Sequence, residues 1–232
     1  MKVAIFTLTK DRLEYTQRTF KGLMEKAGMK FDHFVVDNGS KDGTVEWLKK
    51  QKLKGLKLNP CNMGTAIASN QALEMIGEGY DYIGKVDNDC ESITDGWLKI
   101  LVDIMEKMGR QCVLSPMVLG LDNPPKINTN NTMIVNGKKV YLTKHVGGIA
   151  CISSGSIYRN FRWDENLALR GLKDTEFCTY AAKNGCLIGY VDNVFIEHMD
   201  TTQGQAKKYP EYFKLARYER THSYKQMMEE LE

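Results

Sequence analysis

The chain has 232 residues, 42% hydrophobic and 26% charged, with 5 prolines. This composition excludes a disordered or fibrous protein and allows one large α/β domain or two small ones. Lys and Arg exceed Asp and Glu by 32 to 29, a net charge of +3, too slight for nucleic acid or an anionic membrane to be the main partner.

At the N-terminus the uncharged stretch Val3 to Thr9 is too short for a signal sequence. No apolar run reaches membrane-spanning length, so no transmembrane segment and a cytoplasmic location are expected. Val3 to Leu8 reads as a buried strand, Leu13 to Ala27 has helical spacing, and Phe31 to Val36 is the next strand. Asp42 to Lys50 follows as a short helix, Leu56 to Leu58 as a strand, Thr65 to Ile76 as a helix, and Tyr82 to Val86 as a fourth strand. Trp97 to Met108 is strongly amphipathic, and Cys112 to Leu114 returns to strand. This alternation predicts βαβ units and a mainly parallel sheet flanked by helices over residues 1–115.

Residues 116–204 have a different texture. Asn136-Gly137 between Met133-Ile134-Val135 and Val140-Tyr141-Leu142 signals a hairpin, so a smaller antiparallel subregion is expected. Ile149 to Tyr158 reads as a strand, Asp174 to Asn184 as a helix, and Cys186 to Ile196 as a last strand. The tail, 205–232, reads as helical. Its Lys, Arg, Tyr and Phe residues suit peripheral contact with a membrane surface, and its five glutamates favour a solvated helix packed on the body. The six cysteines contain no CxxC pair, which points to reduced, buried thiols.

Ligands of open α/β sheets bind beyond the carboxyl ends of the strands. Three such ends are polar here: Thr7 to Arg12, Asp37 to Thr44, and Asp87-Asn88-Asp89. Asp37 suits a ribose or base through its acceptor oxygens, and equally suits an Asx turn. Asp87-Asn88-Asp89 offers two hard oxygen donors for Mg²⁺ or Mn²⁺ bridging a diphosphate. Gly79 to Val86 nearly spells a phosphate-binding loop. It lacks the final Ser or Thr and lies in a strand. No GxGxxG occurs, which removes the main support for a dinucleotide-binding enzyme.

With these residues the chain resembles the family 2 glycosyltransferases of GT-A fold from Val3 to about His198. The motifs occur in the family's order: Thr7 and Arg12, then Val35 to Thr44, then Asn62-Met63-Gly64 leading to Ala68 and Asn70, then Asp87-Asn88-Asp89. Gly155 to Arg159, Trp163-Asp164-Glu165 and Asp174-Thr175-Glu176-Phe177 look like its acceptor side. The resemblance implies Asp174 as general base, Asp89 as principal metal ligand and His198 as a further one. Thr7, Arg12, Asp37, Asn62, Gly64, Asp87 and Asn88 would bind the donor. Lys173 stands where the family often has Glu, and Asp174 read without the resemblance is a helix N-cap.

The resemblance implies an inverting, metal-dependent transferase using Mn²⁺ or Mg²⁺. Its donor would be a nucleoside diphosphate sugar, with UDP the expected nucleotide. The acceptor hydroxyl would belong to a glycan, a lipid-linked glycan or a protein. The Gln-x-x-Arg-Trp signature of processive synthases is absent, so a non-processive enzyme is expected. A sugar-phosphate nucleotidyltransferase is the alternative enzyme, although Thr7 to Arg12 has no glycine for its phosphate loop. A catalytically silent nucleotide-sugar-binding module is the alternative of another class.

Overall fold

The computed structural model describes residues 1–109, 111–166, 169 and 173–229. Strand and helix alternate through β1 (Val3–Thr9), α1 (Leu13–Lys26), β2 (Asp32–Asp37), α2 (Thr44–Leu48), β3 (Gly55–Leu58), α3 (Gly64–Ile76) and β4 (Tyr82–Val86). Next come β5 (Cys90–Ser92), α4 (Trp97–Met108), β6 (Cys112–Leu119) and the hairpin β7 (Thr132–Val135) and β8 (Lys138–Leu142). The chain then forms β9 (Ala150–Ser154), α5 (Gly155–Arg159), α6 (Lys173–Lys183) and β10 (Leu187–His198). Three helices follow: α7 (Thr202–Lys208), α8 (Pro210–Tyr218) and α9 (Tyr224–Glu229).

One sheet orders its strands β3-β2-β1-β4-β9-β6-β10-β8-β7, with β5 added to β10. From β3 to β4 the pairing is parallel throughout, since helical crossovers join these strands. β9 runs antiparallel to both β4 and β6, and β6 pairs parallel with β10. The expected α/β architecture is therefore present, with the antiparallel pairing concentrated beyond β4. Alternation along β1 fixes the two cores. Ala4, Phe6 and Leu8 pack with Ala68, Ala72 and Leu73 of α3, whereas Val3 and Ile5 pack with Leu98, Leu101 and Ile104 of α4. In the β7–β8 turn Asn136 and Gly137 have φ of 50° and 72°, the left-handed pair that a two-residue hairpin requires.

Four elements differ from the expectation. The strand read as Ile149 to Tyr158 stops at Ser154, because Gly155 donates its N–H to the Asp81 carbonyl and turns into α5. A Cβ on Gly155 would lie 2.1 Å from the Tyr80 oxygen, so only glycine permits that approach. β6 continues to Leu119 because β10 supplies it with a parallel partner. Short β5, absent from the sequence reading, pairs with the end of β10. The tail is three helices: Pro210, lacking an N–H, opens α8 and breaks it from α7. All six cysteines are free thiols and five are buried. Among the described residues no helix is long and apolar enough to cross a membrane.

Inside the fold the Thr7 hydroxyl and His33 Nε2 lie 3.0 Å apart, with Phe20 and Phe31 against the imidazole. Burial pushes His33 down to about 3, so the folded chain keeps it neutral above that pH. The unfolded chain binds this proton near pH 6.5. The stability His33 contributes is thus complete above pH 6.5 and is lost as pH falls toward 3. We expect His33→Gln to flatten the slope of unfolding free energy between pH 6.5 and 3, measured by urea denaturation. An unchanged slope would assign the acid loss to other groups.

Candidate active site

The carboxyl ends of β1, β2, β4 and β10 surround one crevice, and its centre is Arg12. After β1 the chain takes left-handed backbone at both Asp11 (φ 50°) and Arg12 (φ 60°), which non-glycine residues adopt at a cost. The β2–α2 loop holds this turn. Ser40 Oγ accepts the Asp11 N–H at 2.6 Å, Asp11 accepts the Lys41 N–H at 2.7 Å, and Asp42 accepts the Leu13 N–H at 2.8 Å. Arg12 then donates from Nη1 to Asp89 (3.0 Å) and Asp200 (2.5 Å), and from Nη2 to Asn88 (3.1 Å). The Tyr212 ring lies 4.3 Å from its guanidinium carbon, in cation–π geometry. Burial opposes the charge, but Asp89, Tyr212 and Asp200 outweigh it and raise the Arg12 pKa.

Burial alone would raise the Asp89 carboxyl, yet Arg12 and His198 hold it below the usual carboxylate range. His198, at the end of β10, places Nε2 3.4 Å from Asp89 Oδ2. Burial would lower the imidazole, and hydrogen bonding to Asp89 reverses this and raises it. Asp87 points to a different partner: Lys85 Nζ donates to it at 2.5 Å and to the Gly148 carbonyl at 2.6 Å. Burial nevertheless keeps the Asp87 carboxyl above its ordinary value.

As a pair, Asp89 and His198 could hold Mn²⁺, whose preference for carboxylate oxygen Asp89 meets and with which an imidazole is compatible. Mg²⁺ would take Asp89 alone, since Mg²⁺ sites use one or two carboxylates with phosphate oxygens and water completing the shell. Among the described residues no cluster of three or more His, Cys, Asp or Glu is arranged to hold a metal by itself. The other cation already touching Asp89 is the Arg12 guanidinium.

On the opposite wall Asn38, Asn62 and Thr65 line the crevice beside Leu8, Thr9 and Lys10. Asn38 bridges Asn59 and the Gly64 carbonyl, and Asn62 Oδ1 accepts the Gly64 N–H. Gly64 acts through its backbone at φ 83°, and a Cβ there would meet Leu169 Cδ2 at 2.6 Å. Asp37 is fully buried and accepts three hydrogen bonds, one from Thr9 Oγ1 and two from Ser40. Thr7 lies two residues below the strand end, bound to His33, and Thr9 is the strand-one threonine that lines the crevice.

Asp174 lies apart from this cluster, exposed in the first turn of α6. With the helix starting at Lys173, Asp174 favours the helix N-terminus by its charge rather than standing as the cap. The Lys173 side chain is outside the described residues. Stacking of Phe177 on Tyr158 (4.2 Å between ring centres), with Phe161 and Trp163 around them, seats α6 on the core. Asp174 backs directly onto Gly148, where a Cβ would come 1.8 Å from Asp174 Oδ1. Gly148 carries the carbonyl bound by Lys85, so the loop supporting Asp174 also supports Asp87.

Sequence reasoning missed Asp200, Lys85, Gly148, Tyr212 and Glu219. Asp200 was within reach, since it stands two residues beyond His198 as the chain leaves the sheet. Tyr212 and Glu219 carry no local signal, because their partners Arg12 and Asn62 are 200 and 157 residues away in the chain.

Comparison with solved structures gives the same fold. TarS of S. aureus, residues 1–349 in complex with UDP-GlcNAc, superposes with a TM-score of 0.66 at 17% identity, covering 87% of this chain and 58% of that one. The mannosyltransferase PcManGT from Pyrobaculum calidifontis, in complex with GDP-Man and Mn²⁺, gives 0.60 at 14% identity over 85% of this chain and 56% of its own. GalNAc-T7 with UDP, GalNAc and Mn²⁺ gives 0.65 at 12% identity over 88% and 44%. This chain thus spans little more than half the length of these proteins, or less. No curated protein sequence matches it. The sequence model of glycosyl transferase family 2 matches residues 4–164, more than half of the 232, and the chain belongs to that family.

Proposed function

We propose that the protein transfers one sugar from a nucleoside diphosphate sugar to an acceptor hydroxyl, with inversion at the anomeric carbon and with a divalent cation. The observation that carries this reading is the convergence of Arg12, Asp89 and His198 where β1, β4 and β10 end, beside a wall of amide and hydroxyl side chains. Such a wall suits a nucleoside, and Arg12 together with a divalent cation on Asp89 would suit a diphosphate.

In this reading Asn38, Asn62 and Thr65 bind the nucleoside. Asp37, fully buried, shapes the turn beneath it by accepting from Thr9 and Ser40. Asp89 and His198 would hold Mn²⁺, or Asp89 alone Mg²⁺, which supplies charge stabilisation for the departing diphosphate. Arg12, after β1, and Asn88, after β4, bind the same diphosphate. Asp174 takes the proton from the acceptor hydroxyl as its oxygen bonds to the anomeric carbon. The bond from that carbon to the diphosphate breaks, and the electron pair leaves with the diphosphate. The protein's main contribution beyond these groups is alignment of donor and acceptor. UDP is the nucleotide we expect, and TarS and GalNAc-T7, both solved with UDP-type ligands, support it without excluding GDP.

Titration calorimetry of UDP and GDP, with Mn²⁺ and with chelator, tests the donor half. Wild type should lose affinity in chelator, and Asp89→Ala should bind equally with or without it. Equal wild-type affinity in both conditions would remove the metal bridge. For the base, Asp174→Asn should keep the fold and nucleotide affinity while transfer falls on the order of 10²- to 10⁴-fold. Gly148→Ala should act through the same group. Its new methyl meets the mobile end of Asp174, so melting temperature should hardly move while displacement of the carboxylate slows transfer on the order of 10²-fold. Full transfer by both variants would take Asp174 out of the mechanism.

A further inference from the structure

The proposed donor crevice is covered by the chain's own C-terminal helices, which reach Arg12 and Asn62 on its donor side and Leu169 at its edge. Tyr212 of α8 lies on Arg12. Glu219, buried just past α8, accepts a hydrogen bond from Asn62, and both Tyr212 and Glu219 line the crevice. The His222 carbonyl binds the N–H of Leu169, whose own carbonyl binds Thr65. With the helices seated the crevice encloses about 110 Å³, whereas a small-molecule site needs roughly 300 Å³ or more.

We propose that Tyr212 and Glu219 gate the donor site: they occupy it in the resting molecule and leave it before a nucleoside diphosphate enters. This rests on the donor reading of the crevice given above. Two features fit a segment that opens. α8 buries only Tyr212 and Ala216, and a helix with few buried apolar contacts opens at low free energy. Just before it, the exposed Lys208–Glu14 pair (2.7 Å) and the Tyr209 ring against Tyr15 (5.5 Å between centres) tie the segment to α1, and exposed ion pairs contribute little. The charges also favour exchange. Seated, Glu219 places a carboxylate in the crevice and Tyr212 covers the face of the Arg12 guanidinium. A diphosphate that reaches Arg12 is repelled by the first and competes with the second.

A gate that must open lowers apparent donor affinity by the fraction of molecules that are open. Loosening the seat should therefore tighten binding. With Mn²⁺ present, Tyr212→Ala should bind UDP or GDP roughly tenfold more tightly than wild type, with faster association, as loss of one cation–π contact allows. Lys214→Ala, on the exposed side of α8, should bind as wild type does. In wild type, hydrogen exchange of the amides in 210–218 should speed up on adding nucleotide and Mn²⁺, a readout that needs no variant to fold. Tyr212→Ala affinity equal to or weaker than wild type, or slower exchange in 210–218 with nucleotide, would overturn the gate and leave the donor site standing. Failure of wild type and variant alike to bind either nucleotide would overturn both readings.

Discussion

The buried Arg12 guanidinium is the contact on which the ends of the sheet depend. It receives a carboxylate from the turn after β4, another from beyond β10, and an aromatic face from α8. Two consecutive left-handed residues put it there, each at roughly 1–3 kcal/mol. Charge-assisted hydrogen bonds to Asp89 and Asp200 offset that strain, since such bonds are about twice as strong as neutral ones. The dependence is mutual. Without the cation, Asp89 and Asp200 would face each other as buried carboxylates, and breaking a buried pair costs about 3–5 kcal/mol.

The same cation defines how the site can work. A divalent cation on Asp89 and His198 would enter next to Arg12, and two cations there are tolerable only beside a strongly anionic ligand. A diphosphate is such a ligand. Arg12 is paired with carboxylates in this structure, and under the proposed function it would face phosphate oxygens once donor is bound. The raised His198 pKa belongs to the resting pairing, because Asp89 stabilises the imidazolium as it does the guanidinium.

Much of this was legible in the sequence where the determinants are local. The strands of the first half are short apolar runs and the helices show their own spacing, so the order from β1 to β4, and α4 after it, follows from patterning, whereas three-residue β5 between them carries no such signal. Asp87-Asn88-Asp89 lies after an apolar strand, and strand ends in such sheets face the ligand. Thr7 was placed on the crevice and lies below it because a two-residue step along a strand keeps the same face but moves nearly 7 Å. α5 replaced the end of an expected strand because the deciding contact, Gly155 against Tyr80, joins residues 75 apart. The tail was read as a helix packed on the body, but where it packs depends on Arg12 and Asn62, which no window of sequence around Tyr212 contains.

Lys85 shows how the two halves of the site are joined. Its ammonium, half-buried on β4, the last strand of the parallel run, binds Asp87 in the turn after β4 and the Gly148 carbonyl in the loop before β9. Burial works against this charge, but Asp87 and Asp174 more than compensate and keep it protonated. A half-buried cation tolerates little displacement from its partners, because losing one leaves charge without compensation in a medium of low dielectric. Gly148 therefore cannot drift relative to Asp87, and Asp174, pressed against Gly148, inherits that constraint. The donor turn and the proposed base lie on elements joined by β9, which is antiparallel to β4. Backbone pairing fixes the strands, and the Lys85 bridge fixes the loop above them. In the proposed mechanism, the spacing between the diphosphate and the proton-accepting Asp174 would then depend on one half-buried lysine and one glycine.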